Sequence, residues 1–116
     1  MKKIYVCELK NLPIGEITAP PNGMSGFMLI NLGENGVVAF HNICPHLGTV
    51  DLSKKGTYKN GLITCPEHGL QFCAETGDYK EEHISPRCKN LKKYDVDVTE
   101  DSKVYVMIPD TDPVLA

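Results

Sequence analysis

Short apolar runs alternate with breaks rich in glycine, proline and polar residues, and no stretch keeps a helical period for long. Tyr94-Asp95-Val96-Asp97-Val98-Thr99 is the plainest case. Apolar and acidic residues alternate with period two, which predicts a strand with one buried and one wet face. Glu100-Asp101-Ser102 turns the chain, and residues 103–108 return as a second strand. Residues 27–32 and 37–41 flank Gly33-Glu34-Asn35-Gly36, where the Asn-Gly pair is expected to supply the positive φ values of a tight hairpin. Asn60-Gly61 repeats that signal between residues 57–59 and 62–64. Residues 4–9 predict a first strand. Residues 10–25, with Pro13, Pro20, Pro21 and Gly23, predict an irregular connection, and any helix is expected to be a short turn near residues 47–52. Residues 109–116 have no pattern and predict a loose tail.

Composition supports the β reading. Four alanines stand against nine valines and eight isoleucines, and glycine plus proline number 18 of 116 residues. That length predicts one domain, residues 1–116. The apolar run Phe27-Met28-Leu29-Ile30 falls far short of the ~20 residues of a membrane span. Met1-Lys2-Lys3 is not followed by the apolar core of an export signal, so the expected location is the cytoplasm, away from any membrane. A net charge of −3 argues against a nucleic-acid partner. The basic residues are scattered, apart from a small group at Lys89-Asn90-Leu91-Lys92-Lys93 that offers a docking patch.

Five cysteines are an odd number, so a disulfide framework cannot use them all. In a reducing compartment, spaced cysteines are better read as metal ligands, catalytic thiols or small buried hydrophobes. Cys44-Pro45-His46 and Cys65-Pro66-Glu67-His68 each follow a predicted strand and run into a glycine, Gly48 and Gly69. Each reads as a loop tip offering one thiolate and one imidazole. Two chemistries use that set. One is a tetrahedral Cys₂His₂ zinc site in a structural or interaction domain. The other is a two-iron, two-sulfide centre with cysteines on one iron and histidines on the other. Zinc fingers usually place a pair of one ligand type on each arm, whereas here each arm carries one of each, which suits the binuclear centre.

With these residues the sequence resembles the Rieske iron–sulfur family, whose pattern is C-x-H, about sixteen residues, then C-x-x-H. Here eighteen residues separate His46 from Cys65. Cys44-Pro45-His46-Leu47-Gly48 is similar to the family's first loop. Cys65-Pro66-Glu67-His68-Gly69-Leu70-Gln71-Phe72, with Thr76-Gly77 after it, is similar to the second loop and its turn. Ile84-Ser85-Pro86 and the strand from Tyr94 resemble the proline-bearing third loop and the strand beyond.

The resemblance implies an all-β antiparallel sandwich with a small cluster-binding subdomain, about residues 42–85, at one end. It implies one [2Fe-2S] cluster per chain, with Cys44 and Cys65 on the inner iron and His46 and His68 on the outer. It also implies an electron carrier rather than an enzyme in its own right. Such a carrier takes electrons from a reductase, typically a flavoprotein, and passes them to a terminal oxygenase or reductase. The dioxygenase ferredoxins and the small subunits of assimilatory nitrite reductases are the branches it resembles, and an accessory subunit of a nitrite-reductase-like complex is the alternative role. High-potential members add a cysteine to each loop and join them by a disulfide. Thr49 and Glu67 stand at those positions here. The same members carry a serine and a tyrosine that donate to cluster sulfur, where this chain has Leu70 and Phe72.

The remaining candidates have plainer roles. Cys7 in the first strand and Cys73 beside the second loop are expected to be structural, and Cys88 is the best candidate for an exposed thiol. A Cys73–Cys88 bridge has no support in a reducing compartment. His41 is expected to be a hydrogen-bonded support and His83 a surface residue. The acidic group Glu75, Asp78, Glu81 and Glu82 and the basic group around Lys92 are the two candidate partner-facing surfaces.

Overall fold

The computed structural model describes residues 1–45, 50–67, 69–80 and 90–112. The element order is β1 (Lys2–Glu8), β2 (Ile17–Thr18), β3 (Phe27–Asn31), β4 (Val37–His41), α1 (Leu52–Lys55), β5 (Thr57–Lys59), β6 (Leu62–Thr64), β7 (Gln71–Cys73), β8 (Lys93–Val98) and β9 (Lys103–Ile108). Six strands form one sheet in the order β1-β9-β8-β4-β3-β2, and β5-β6-β7 form a second. Every named strand pair is antiparallel, as the all-β reading expected.

The apolar run Phe27-Met28-Leu29-Ile30 explains how the layers meet. All five residues of β3 are buried. Phe27 and Leu29 face one core with Ala39, Val6, Val104, Val106 and Ile108. Met28 and Ile30 face another with Val38, Phe40, Ile63, Phe72 and Leu52. A strand covered on both faces has no use for polar alternation, so its residues read as a continuous apolar run. The β3–β4 hairpin is thus a wall shared by two cores.

Local chemistry sets the turns. At Asn60-Gly61 both residues take positive φ, 51° and 80°, and the flanking pair Lys59↔Leu62 closes a two-residue turn as expected. The β3–β4 turn differs from expectation. The positive values fall on Gly33 (73°) and Gly36 (84°), not on Asn35. The register pairs Asn31 with Val37, leaving five residues in the loop; a single 3-10 turn over Gly33–Asn35 fills it, and Gly36 restores the strand. The register itself is fixed by burying Leu29 opposite Ala39.

Three other expectations are corrected. The helical turn begins at Leu52 rather than before it, because Asp51 caps it by accepting the Ser53 N–H. The connection over residues 10–25 includes β2, whose Ile17 pairs with Ile30; two residues are too few to show a period. Residues 109–112, the described part of the expected tail, are tied down, because Asp112 is buried and accepts hydrogen bonds from Tyr94 Oη at 2.8 Å and from Lys92 Nζ; residues 113–116 lie outside the described residues. On β8 the expected alternation fades along the strand: Tyr94 is buried, Val96 half-buried and Val98 exposed near the turn.

Candidate metal centre

Cys44 and Cys65 each lie at the neck of a loop, held there by a similar backbone hydrogen bond. After β4, Ile43 pairs with Asp51 in an antiparallel bridge, and the Cys44 N–H donates to the Val50 carbonyl at 2.9 Å. At the other neck, β6 and β7 pair Thr64 with Gln71, and the Cys65 N–H donates to the Leu70 carbonyl at 2.8 Å. Each cysteine is therefore the last residue held by sheet-like bonding before its loop opens. Gly69 takes φ +65° in the second loop, the left-handed conformation that suits glycine.

The two necks bring Cys44 and Cys65 together. Both are fully buried in the same apolar core, near enough for the Cys44 thiol to perturb that of Cys65. Burial pushes the Cys65 thiol from an ordinary 9.0 up to about 11. The Glu67 backbone N–H, which donates to that sulfur, works against the shift, while the Cys44 thiol and the Glu67 carboxylate add to it. A metal ion is what makes thiolates of such a pair at neutral pH. Leu70, Phe72, Val50, Leu52 and Leu91 complete the surrounding apolar core. Two neighbouring buried thiols at the necks of two hairpins fit a thiolate-ligated iron–sulfur centre.

His46 and His68 lie outside the described residues, as do Thr49, Glu81, Glu82, His83, Ile84, Ser85, Pro86 and Cys88. Among the described residues no group of three or more His, Cys, Asp or Glu side chains converges to hold a metal. Leu70 and Phe72, which resemblance placed at the hydroxyl-donor positions, are buried against the cysteines with no hydroxyl to offer. His41 lines an open depression of about 270 Å³ beside Cys44, together with Pro45, Leu91 and Lys92. Its backbone N–H donates to the Lys92 carbonyl at 2.8 Å.

The two other described thiols differ from one another. Cys7 is buried in the core of the large sheet, and burial raises its pKa. Cys73 is a free, half-buried thiol whose pKa is lowered, first by the Thr76 hydroxyl and then, against burial, by backbone N–H groups of Glu75 and Thr76 and the charge of Lys80.

Two residues at the first neck escaped the sequence reading. Asn42 donates from Nδ2 to Asp51 Oδ1 at 3.0 Å, and Asp51 caps α1. The Asp-Leu-Ser sequence carries a helix-cap signal, but nothing in the sequence shows that Asn42 meets it.

Comparison with known proteins agrees with this geometry. The carnitine monooxygenase oxygenase subunit of Escherichia coli K12 is 41% identical over 59 residues, which is 51% of this chain and 14% of that protein; the chain thus spans about a seventh of the curated relatives it matches. The ferredoxin of carbazole 1,9a-dioxygenase from Nocardioides aromaticivorans IC177 superposes with a TM-score of 0.75 at 26% identity, covering 94% of this chain and 100% of that one. A chain in the complex of reduced oxygenase and oxidized ferredoxin of carbazole 1,9a-dioxygenase superposes at 0.72 with 30% identity, covering 90% and 91%. No helix among the described residues is long and apolar enough to cross a membrane. The family description Rieske [2Fe-2S] domain matches residues 2–95, so the chain belongs to the Rieske [2Fe-2S] family, whose cofactor is one [2Fe-2S] cluster.

Proposed function

We propose that this chain is a one-electron carrier that takes electrons from a reductase, most simply a flavoprotein, and delivers them to a terminal oxygenase or reductase in the cytoplasm. The observation that carries the reading is the buried, adjacent pair Cys44 and Cys65 at two hairpin necks, in a chain of the Rieske family. The ferredoxins it resembles cover nearly the whole chain, and one of them is found in complex with its oxygenase. Cys44, His46, Cys65 and His68 are the proposed ligands.

When bound, the cluster supplies a single electron at a time by cycling one iron between ferric and ferrous. Cys44 and Cys65 then contribute two thiolates, and His46 and His68 two neutral imidazoles. With two ferric ions and two sulfides the formal charge is zero, against −2 for four thiolates. A neutral centre accepts an electron more readily. The apolar wall of Leu70, Phe72 and Leu91 keeps water from the sulfurs, and the loops carrying the histidines form the exchange point with partners.

Iron and acid-labile sulfide assays with electron paramagnetic resonance after reduction test the reading. Two irons and two sulfides per chain with a Rieske-type signal are expected; zinc without sulfide overturns it. Cys44→Ser, His46→Ala, Cys65→Ser and His68→Ala should each abolish that signal. Size-exclusion chromatography of native lysate distinguishes a carrier that elutes alone from a subunit that elutes with a larger oxidoreductase.

A further inference from the structure

Asp51 carries more than a helix cap requires. Its Oδ1 accepts the Ser53 N–H at 2.9 Å, the Ser53 hydroxyl at 2.6 Å and Asn42 Nδ2 at 3.0 Å. The first bond alone caps α1, and asparagine or serine would make it about as well as aspartate. Asn42 is nevertheless buried, 7% exposed, to supply the third bond, and its own Oδ1 is left buried with no hydrogen-bond partner among the described residues. Such an orphaned acceptor is costly, and it leaves the Asn42 amide oriented so that Nδ2 donates to the Asp51 carboxylate. Burial opposes that charge, yet the Ser53 and Asn42 hydrogen bonds, helped by Lys54, hold the carboxyl below its ordinary 3.8. Asp51 is therefore ionised at neutral pH.

The position of this charge matters. Asp51 pairs across the first neck with Ile43, the residue before Cys44, and Val50, the residue before Asp51, accepts the Cys44 N–H. Facing residues in an antiparallel bridge lie about 5 Å apart. We infer that Asp51 is a fixed negative charge, oriented by Asn42, that lowers the reduction potential of the centre held at Cys44 and Cys65. The inference rests on the carrier reading above. Taking one electron from the donor reductase moves the formal charge from zero to −1, and a nearby carboxylate disfavours that change. At an effective dielectric near 20, a unit charge about 12 Å away would shift such an equilibrium about tenfold. For one electron a tenfold shift is about 59 mV.

Redox titration of the cluster-loaded protein tests this, with iron and sulfide content and thermal midpoint measured on the same samples. Asp51→Asn and Asp51→Ser remove the charge and keep a capping oxygen, so both should raise the potential by about 59 mV with iron and sulfide content at the wild-type level, at some cost in thermal midpoint. Asp51→Glu keeps the charge and should stay near the wild-type potential. Unchanged potentials in loaded Asp51→Asn and Asp51→Ser overturn the inference while leaving the carrier reading intact. An equal rise in Asp51→Glu overturns it too, because packing rather than charge would then set the value. A wild-type chain that holds no iron–sulfide centre overturns the carrier reading and this inference together.

Discussion

Gly77 sits where the turn after β7 meets the rest of the protein, at φ +82°. A Cβ there would lie 2.6 Å from the Leu91 carbonyl oxygen and 2.9 Å from Phe40 Cε1. Backbone cannot swing away as a side-chain tip can, so Gly77→Ala should destabilise the protein by about 1–3 kcal/mol, read by chemical denaturation. The Leu70 and Phe72 positions speak to redox chemistry instead. Neither side chain donates to sulfur, and fewer donors stabilise the more negative reduced centre less. The midpoint potential should fall toward the low end of the Rieske range of about −150 to +300 mV, and a titrated value well above zero contradicts this. Residues of both kinds differ in how far the sequence exposes them. The meeting of Cys44 and Cys65 was legible because their two short motifs share one pattern, and the placing of Leu70 and Phe72 beside them because they lie at fixed offsets from Cys65. Asn42 and Asp51 were not legible as a pair, because they meet only when the first neck closes.

At the scale of elements, the two necks differ in what holds them. The second is a sheet hairpin: Ile63 of β6 is fully buried among Phe72, Leu70 and the cysteines. Ile63→Ala should cost about 2–5 kcal/mol and Ile63→Val about 0.5–1.5 kcal/mol, measured by denaturant titration. The first neck relies on one bridge, the α1 cap and the Asp51 carboxylate. That carboxyl has its pKa lowered in the folded state, so its contribution is complete above the unfolded value near 3.8 and is lost as pH falls through the lower folded value. Acid titration of thermal stability should therefore fall more steeply below about pH 4 in the wild type than in Asp51→Asn. The hairpins were the most legible elements, since Asn60-Gly61 dictates its turn directly. The β3–β4 loop was legible in its place but not in its conformation, since with Leu29 buried opposite Ala39 the loop runs to five residues and positive φ falls on Gly33 and Gly36. α1 and β2 are too short for any periodic signal to form.

Across the whole molecule, buried polar contacts extend the order beyond the last strand. The Asp112 carboxylate takes the Tyr94 hydroxyl and the Lys92 ammonium, and burial together with Asp112 raises the Tyr94 pKa. Asp112→Ala leaves a buried hydroxyl without its acceptor and should cost about 1–3 kcal/mol, visible as a lowered unfolding midpoint. Sequence reading treated this stretch as loose because its anchors lie 18 and 20 residues back on the chain. Antiparallel β architecture, by contrast, was legible at this scale, since turn signals recur along most of the length. The hairpin of β3 and β4 bears on how the molecule can be divided. Met28, Ile30 and Phe40 supply much of the surface against which β6, β7 and the cysteine loops pack, and they lie outside residues 42–85. A fragment cut to those residues should remain unfolded and fail to assemble iron and sulfide, whereas the complete chain should melt in one transition. The loops that confer redox chemistry are therefore not a portable cassette: transplanting them into another scaffold means transplanting the wall behind them.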